Sequence, residues 1–157
     1  MKTQRRSLIK KLMASVAGVA GIGVATAHAK TAELTSSEKE TFSPYTEPGQ
    51  EVPLFSGSVK QGGFVFVAGK GAHFEGDIKA HTDHVLNELE KELKKAGSSM
   101  DKVVKVNVYL ADLNDYTAMN EVYRGRFGNN PPVRTTVATY GGVPGDSLVE
   151  IDCIAAV

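Results

Sequence analysis

Two charged side chains near the C-terminus stand beside or inside short apolar runs and could act together on a small acid. Arg134 follows Pro131-Pro132-Val133, and Glu150 interrupts the apolar residues of Leu148-Val149-Glu150-Ile151. An arginine presents a planar fork of donors that matches a carboxylate, and a glutamate can accept a proton from water. The pattern therefore predicts a site that binds a small carboxylic acid and directs a water molecule onto it.

Each of these residues also has a simpler interpretation. An arginine after two prolines can be a surface residue or half of an interface ion pair. Glu150 can lie on the wet face of an edge strand, or can pair with Arg134 only to neutralise it. Because both interpretations stay open at this level, the elements that would position the two side chains become important.

Apolar periodicity predicts strands on either side of two helices. An early strand with Ser58-Val59-Lys60 precedes a Gly62-Gly63 turn, and a helix begins at Asp77 and ends before Gly97. The other predicted elements are the strands Phe64–Gly69, Val103–Leu110, Arg134–Thr139 and Leu148–Ala156 and the helix Tyr116–Phe127. The order β-β-α-β-α-β-β predicts an α+β fold, a two-layer α/β sandwich.

Two helices can cover only one face of such a sheet. Val104, Val106, Val108 and Leu110 share one predicted strand face, whereas Val103, Lys105, Asn107 and Tyr109 share the other. The second sheet face also carries Val and Ile side chains, which a monomer would leave in water. We therefore expect self-association around a symmetry axis to bury that face.

The N-terminal residues 1–29 are typical of an export signal. Arg5-Arg6 precedes an apolar stretch that is short and rich in Ala and Gly, as in twin-arginine signals, and Ala27-His28-Ala29 predicts cleavage after Ala29. The expected location is the periplasm, with no stable membrane insertion after cleavage. Residues 30–52 are polar and predict a flexible arm, and residues 53–157 form the predicted domain.

Charge and cysteine content restrict the possible functions. The chain has 18 basic and 18 acidic residues, and removal of residues 1–29 leaves 13 basic against 18 acidic, which disfavours a nucleic-acid partner. Cys153 is the only cysteine and is surrounded by apolar residues, so we expect a buried structural thiol. His73, Asp77, His81 and His84 have tolerable metal spacing, but we expect a solvated helix face and no metal site.

Several phrases in a consistent order resemble the RidA/YjgF family of enamine/imine deaminases. The resemblance covers residues 52–157, nearly all of the predicted domain. It rests on Pro53–Ser56, Phe64–Gly69, Ala96–Lys105, Met119–Tyr123, Pro131–Arg134 and Leu148–Ile151. The order and spacing of these phrases are specific, although no single phrase is.

The resemblance implies a chorismate-mutase-like fold and a homotrimer with sites in the clefts between subunits. It also implies hydrolysis of small 2-imino or enamine acids to 2-oxo acids and ammonia, without a metal or organic cofactor. Arg134 matches the residue that clamps the carboxylate, and Glu150 matches the acid that directs water. Further positions implied to bind substrate are Gly69, Asn120, Phe55 and Thr136.

Three positions depart from the family pattern. Phe55 stands where relatives commonly have tyrosine, Ala68 replaces a common serine, and Lys70 replaces a common glutamine. These departures leave an alternative from another class open. The chain would then be a non-catalytic trimeric module that binds a small ligand or protects other proteins with the same fold.

Overall fold

The computed structural model describes residues 38–157, which form one mixed sheet and two helices. The strands are β1 (Glu40–Tyr45), β2 (Phe55–Gln61), β3 (Phe64–Lys70), β4 (Val103–Leu110), β5 (Val133–Ala138) and β6 (Val149–Ala156). The helices are α1 (Ile78–Lys95) and α2 (Tyr116–Tyr123). The predicted α+β class, with two helices and one sheet, is therefore confirmed.

The sheet has the spatial order β1-β2-β3-β6-β4-β5. All neighbouring strands are antiparallel except β4 and β5, which are parallel because α2 makes the crossover between them. The C-terminal strand β6 lies between β3 and β4, so it carries Glu150 to the centre of the sheet. Arg134 lies on β5, which is an edge strand within the described residues.

The apolar stripe of α1 packs against one face of this sheet. Asp77 caps the helix, its Oδ1 atom accepting a hydrogen bond from the amide of Ala80 at 2.8 Å. The fully buried α1 residues include Val85, Leu86 and Leu89. They pack in a single cluster with alternate residues of the strands, namely Val65, Val67, Val106, Val108, Leu110, Val149, Ile151 and Cys153.

The helix-covered face and the uncovered face of the sheet differ sharply in burial. On β6, Val149 and Ile151 are buried toward the helices, whereas Glu150 and Asp152 alternate with them and are half-buried. A register shift between Val103 and Lys105 changes the predicted pattern of β4. Val104 is 45% exposed because this bulge turns it away from the core, and the prediction that it shares a face with Val106 is wrong.

Residues 40–45 correct the predicted order of elements. They lie within the segment predicted to be a flexible arm, yet they form β1 and pair antiparallel with β2. The order is therefore β-β-β-α-β-α-β-β. Pro44 is tolerated because β1 is at the edge of the sheet, where one side of the strand donates no ladder hydrogen bonds. The predicted signal, residues 1–29, and the start of the predicted arm lie outside the described residues.

The second helix is shorter than predicted. The apolar stripe predicts a helix to Phe127, but α2 ends at Tyr123 because Arg124 adopts an extended conformation. Gly125 follows with a φ of 81°, a value that glycine adopts without steric cost. Phe127 is still buried. The apolar spacing therefore predicts that Phe127 packs in the core, but it does not predict the backbone conformation beyond Tyr123.

Two further features concern the whole described segment. Between residues 38 and 157, neither helix combines the length and apolar character that crossing a bilayer requires. Cys153 is a buried free thiol, as predicted, and burial raises its pKa to about 12. A thiol of this kind is almost wholly protonated near neutral pH, which is consistent with a structural role.

Candidate active site

Arg134 is held against one face of α2. Its Nη1 donates to Oδ1 of Asn120 at 2.8 Å, and its Nη2 donates to the hydroxyl of Tyr116 at 3.2 Å. The guanidinium also lies over the ring of Tyr123, 4.6 Å from the ring centre. Because α2 presents these residues at positions i, i+4 and i+7, a single helix face orients the arginine.

None of the groups that hold Arg134 carries a negative charge. Its partners are an amide and two phenols, so the positive charge is positioned but not neutralised by them. The guanidinium opens into a cavity of about 600 Å³ at the C-terminal end of α2, lined also by Tyr123, Arg124, Phe127 and Pro131. A charge that is positioned but unneutralised in a concave site is suited to binding an anion.

Two buried hydroxyls adjoin this arginine. Within residues 38–157, the hydroxyl of Tyr123 and Oγ1 of Thr136 are the buried side-chain polar atoms without a hydrogen-bond partner. Burial raises the pKa of Tyr123 to about 12, against the opposing effect of the Arg134 charge, so the phenol remains a donor. Buried polar groups are nearly always paired, so the unpaired hydroxyl of Tyr123, whose ring lies under the Arg134 guanidinium, is a candidate contact for a polar ligand.

Glu150 lies on the uncovered face of the sheet, beside Gly69 of β3. The register of β3 against β6 shifts between Val67 and Lys70, and this irregularity includes Gly69. A Cβ atom at position 69 would lie 2.7 Å from Cδ of Glu150. The absence of a side chain at Gly69 therefore allows the Glu150 carboxylate to lie across the backbone of β3.

The carboxylate of Glu150 has space and no fixed partner. It lines a small cavity of about 170 Å³ together with Tyr109, Thr139 and Pro144. Among residues 38–157 it makes no hydrogen bond or ion pair. Its neighbour Asp152, in contrast, accepts hydrogen bonds from Asn107 at 2.9 Å and from Tyr109 at 3.1 Å. Glu150 is thus the available acceptor in this part of the sheet.

A single chain does not bring Arg134 and Glu150 into one cavity. Arg134 lies opposite Val106 of β4 and Glu150 lies opposite Tyr109, so β4 separates them. With strand spacings of about 4.8 Å and about 3.3 Å per residue, their Cα atoms are roughly 14 Å apart. Val106 is buried under the helices whereas Tyr109 is half-buried on the other side, so the two side chains leave the sheet on opposite faces.

The six residues singled out from sequence fall into three groups. Arg134, Asn120 and Thr136 lie on the helix-covered face around α2 and β5. Glu150 and Gly69 lie together near the centre of the uncovered face. Phe55 is separate from both groups, because it begins β2 and stacks on Tyr45 of β1 with ring centres 5.0 Å apart.

Sequence reasoning missed three residues around Arg134. Apolar spacing places Tyr116 and Tyr123 in the stripe that predicts the second helix, and no sequence pattern singles out Arg124. Their spacing could have revealed Tyr116 and Tyr123, because both share one helix face with Asn120, which is already a candidate substrate-binding residue. Aromatic residues at such spacing usually indicate packing in the hydrophobic core. The spacing therefore gave no sign that their hydroxyls lie beside an arginine.

The histidine cluster also differs from its prediction as a solvated face. His81 is only 2% exposed. Its Nε2 contacts the carbonyl of Phe74 at 2.8 Å and its Nδ1 accepts from the amide of Leu148 at 3.1 Å, so the ring joins two loops. Over the described part of the chain, no three His, Cys, Asp or Glu side chains are grouped as metal ligands would be.

The fold and the Arg134 cavity define a class before any relative is considered. Two helices on one face of a mixed sheet, and an arginine that opens into a cavity at the sheet edge, indicate an α+β protein whose site suits a small molecule. Residues 46–157 match the sequence profile of the family described as Endoribonuclease L-PSP. The chain belongs to this family, which contains the RidA/YjgF proteins.

Individual relatives agree with this assignment. A RutC family protein of Pyrococcus abyssi is 43% identical over 108 residues, which cover 64% of this chain and 84% of the relative. The mitochondrial protein mmf2 of Schizosaccharomyces pombe is 41% identical over 131 residues, covering 78% and 95%. The crystal structure of a YjgF/YER057c/UK114 family member from Mycobacterium tuberculosis has a TM-score of 0.65 at 30% identity, covering 76% and 99%.

Proposed function

We propose that this protein is a homotrimeric deaminase that hydrolyses small 2-imino or enamine acids to 2-oxo acids and ammonia. The observation that carries the proposal is the state of Arg134, which is oriented by Asn120 and Tyr116 yet has no acidic partner among its contacts. A guanidinium of this kind has the geometry to clamp the carboxylate of an imino acid. Family membership supports a function that involves small molecules.

The proposed reaction needs little more than orientation and one base. Arg134 holds the substrate carboxylate, which places the adjacent C=N carbon next to a bound water. Glu150 accepts a proton from this water as its oxygen bonds to the carbon, and it passes that proton to the imine nitrogen as the C=N π bond breaks. The hydroxyl of the resulting amino alcohol then gives its proton to Glu150 as the C=O bond forms, and Glu150 returns this proton to the nitrogen, which leaves as ammonia when the C–N bond breaks.

The site would be completed between copies of the chain. Arg134 and Glu150 leave opposite faces of one sheet, so within one protomer they cannot contact the same small molecule. Arg134 is on an edge strand, and Glu150 is on the face that the helices leave open. A second protomer packed on the open face can place its own edge strand against Glu150, which is why the proposal requires assembly, and the trimer is the assembly that the family implies.

Replacement of Arg134 tests the clamp. Arg134→Gln removes the charge but keeps much of the side-chain volume, so we expect kcat/KM for 2-iminopropanoate to fall about 100-fold or more, as for loss of a charge-assisted contact. The substrate can be generated by an amino acid oxidase, and the fraction of imine that escapes semicarbazide measures turnover. Sedimentation velocity shows whether the assembly survives.

The matched control is Arg126→Gln. Arg126 is two residues beyond Arg124 and is occupied by Asp83 at 2.7 Å and Asn87 at 2.5 Å, outside the clamp. Its replacement should leave turnover within about twofold of the parent chain, since Arg126 does not line the cavity of Arg134. Full activity of Arg134→Gln, or equal loss in both variants, would contradict the role of Arg134.

One observation favours the alternative of a non-catalytic binding module. Arg134 with its cavity is formed within one chain, whereas a catalytic pair with Glu150 is not. A binding module predicts that 2-oxopropanoate binds in a calorimetric titration and that Arg134→Gln abolishes this binding. It also predicts that the parent chain does not accelerate loss of 2-iminopropanoate even at high protein concentration, and that outcome would replace the deaminase proposal.

A further inference from the structure

The Arg134 cavity contains a second arginine whose charge no protein group satisfies. Arg124 lines the same cavity of about 600 Å³ and directly follows the last residue of α2. Within residues 38–157 its guanidinium makes no ion pair and no hydrogen bond. None of the residues lining the cavity is an aspartate or glutamate. Arg124 is itself exposed to solvent, and two arginines therefore line one open concave space that has no carboxylate in its lining.

The neighbouring charged side chains explain why this arrangement is not a general basic surface. The described residues contain three arginines, and the third, Arg126, is engaged by Asp83 and Asn87. Glu121 is the acidic residue nearest to Arg124 along the chain, and it forms an ion pair with Lys79 at 2.6 Å. Residues 38–157 contain more acidic than basic residues. Two arginines without acidic partners in one cavity therefore differ from the charge balance of the rest of this segment.

The backbone keeps Arg124 at this position. Its amide donates to the carbonyl of Asn120 at 3.1 Å, which closes the final turn of α2. The side chain of Asn120 also accepts a hydrogen bond from Arg134. Asn120 therefore contacts both arginines, Arg134 through its side chain and Arg124 through its backbone carbonyl. The backbone from which the Arg124 side chain extends is therefore fixed by the end of a helix and not by a free loop.

From this geometry we infer that the site prefers a substrate with two acid groups, namely a 2-imino dicarboxylic acid of the kind formed from acidic amino acids. This inference rests on the proposed deaminase function and specifies its substrate class. Arg134 clamps the carboxylate next to the imine carbon, and Arg124 binds the distal carboxylate. A monocarboxylic imine has no second carboxylate for Arg124 to bind. Its complex would therefore contain one charge-assisted hydrogen bond fewer than that of a dicarboxylic imine.

The test compares two substrates in the full chain. The ratio of kcat/KM for 2-iminobutanedioate to kcat/KM for 2-iminopropanoate is measured with semicarbazide interception of the imine. Loss of a charge-assisted contact should lower this ratio about tenfold in Arg124→Gln. The control Arg126→Gln should keep the ratio of the parent chain, since its guanidinium is occupied by Asp83 and Asn87. An unchanged ratio in Arg124→Gln, or an equal fall in both variants, overturns the inference.

A second measurement separates this inference from the proposed function. If the parent chain consumes neither imine, the deaminase proposal fails, and calorimetric titration with 2-oxobutanedioate and 2-oxopropanoate then decides the inference by itself. Tighter binding of the diacid that is lost in Arg124→Gln but kept in Arg126→Gln supports a dianion site. Equal binding of the two acids by the parent chain, or no binding of either, overturns it.

Discussion

At the scale of single residues, the two proposed catalytic side chains are positioned by a few neighbouring residues. Arg134 depends on three side chains of α2, and Glu150 depends on the lack of a side chain at Gly69. The first dependence involves polar partners, whereas the second involves only space. A substitution can therefore move Glu150 without removing any hydrogen bond of the described protein.

Gly69→Ala tests this positional role of Gly69. The new Cβ would lie 2.7 Å from Cδ of Glu150, too close for a real contact, so the flexible carboxylate must turn away. We expect the fold to persist, with Tm within a few degrees of the parent, whereas kcat for 2-iminopropanoate falls about tenfold or more because the base is misplaced. Steady-state kinetics and thermal denaturation monitored by circular dichroism measure the two effects.

Gly71→Ala provides the comparison for Gly69→Ala. At position 71 an added Cβ would meet atoms of His73 and Ser147 at 3.4 Å, an ordinary contact distance. This variant should keep both stability and kcat close to those of the parent. If Gly69→Ala retains full kcat, the position of the Glu150 side chain does not matter for turnover and its assigned role fails.

At the scale of elements, β1 is attached to the domain through a buried carboxylate of α1. Glu92 is 4% exposed. It accepts hydrogen bonds from Ser58 of β2 at 2.9 Å and from Ser43 of β1 at 3.1 Å. Lys70 and Lys95 approach it at 3.7 Å. Lys70, one of the departures from the family pattern, thus pairs with Glu92 under the helix and does not line either cavity.

The network around Glu92 lowers the pKa of its carboxyl group. Burial by itself would raise the pKa, but the Ser58 hydrogen bond, the charge of Lys70 and the contacts with Ser43 and Lys95 outweigh burial. A lowered pKa in the folded state contributes stability above the ordinary pKa of glutamate, near about 4.3, and this contribution is lost as pH falls below it. The network should therefore persist in mild acid and weaken only as pH falls below the ordinary pKa of glutamate.

Glu92→Gln should show that dependence. The variant keeps the shape but removes the charge, so we expect the free energy of unfolding at pH 7 to fall by about 1.5–3 kcal/mol, the range for hydrogen bonds to charged groups. The difference from the parent chain should shrink as pH falls below the ordinary pKa of glutamate and through the lowered pKa of Glu92. Urea denaturation at several pH values measures this difference.

Glu90→Gln is the matched exposed change on the same helix. Glu90 pairs with Lys94 at 2.6 Å, four residues later, on the solvent side of α1. Such a pair contributes no more than about 0.5 kcal/mol, so this variant should unfold almost as the parent does. A loss of equal size in Glu90→Gln and Glu92→Gln would show that burial of Glu92 and its attachment to β1 contribute nothing specific.

At the scale of the whole molecule, the uncovered sheet face explains why one chain is an incomplete unit. The polar centre of this face contains Glu150, Asp152, Asn107 and Tyr109. Large apolar side chains of the same sheet remain 43–68% exposed, namely Phe64, Phe66, Val104, Val133 and Val137. Exposed apolar residues around a polar centre are typical of an interface that encloses a site.

Phe66→Lys tests whether this face assembles the protein. Phe66 is 46% exposed and lies at the centre of β3, so a buried lysine there should break contacts between copies. We expect the variant to sediment with the mass of one chain, whereas the parent sediments with the mass of three. Turnover should be lost together with the trimer, because Arg134 and Glu150 would no longer meet.

Phe74→Lys is the corresponding change away from the open face. Phe74 is also 46% exposed, but its ring contacts His81 and His84 of α1 on the helix-covered side. This variant should remain trimeric. A trimeric and fully active Phe66→Lys variant would show that the open face of β3 is not the interface.

The sequence by itself determined the class of fold and most of its elements. Apolar periods of α1, β3 and β6 are long and regular, and local side-chain spacing is sufficient to predict such elements. It did not predict β1, because the polar residues 40–45 become a strand only through pairing with β2 and attachment to Glu92. The early end of α2 at Tyr123 was also missed, because Phe127 continues the apolar spacing in a different conformation.

Only the tertiary structure decided which chemical groups share an environment. The sequence places Arg134 and Glu150 on neighbouring runs, but β4 lies between β5 and β6 and separates them, and the register of β4 with each strand puts them on opposite faces. The same topology brings Arg124 to Arg134 and lays Glu150 over Gly69, pairs that no local spacing indicates. Side-chain identity follows from the chain alone, whereas proximity depends on strand order and register, which are set by long-range packing.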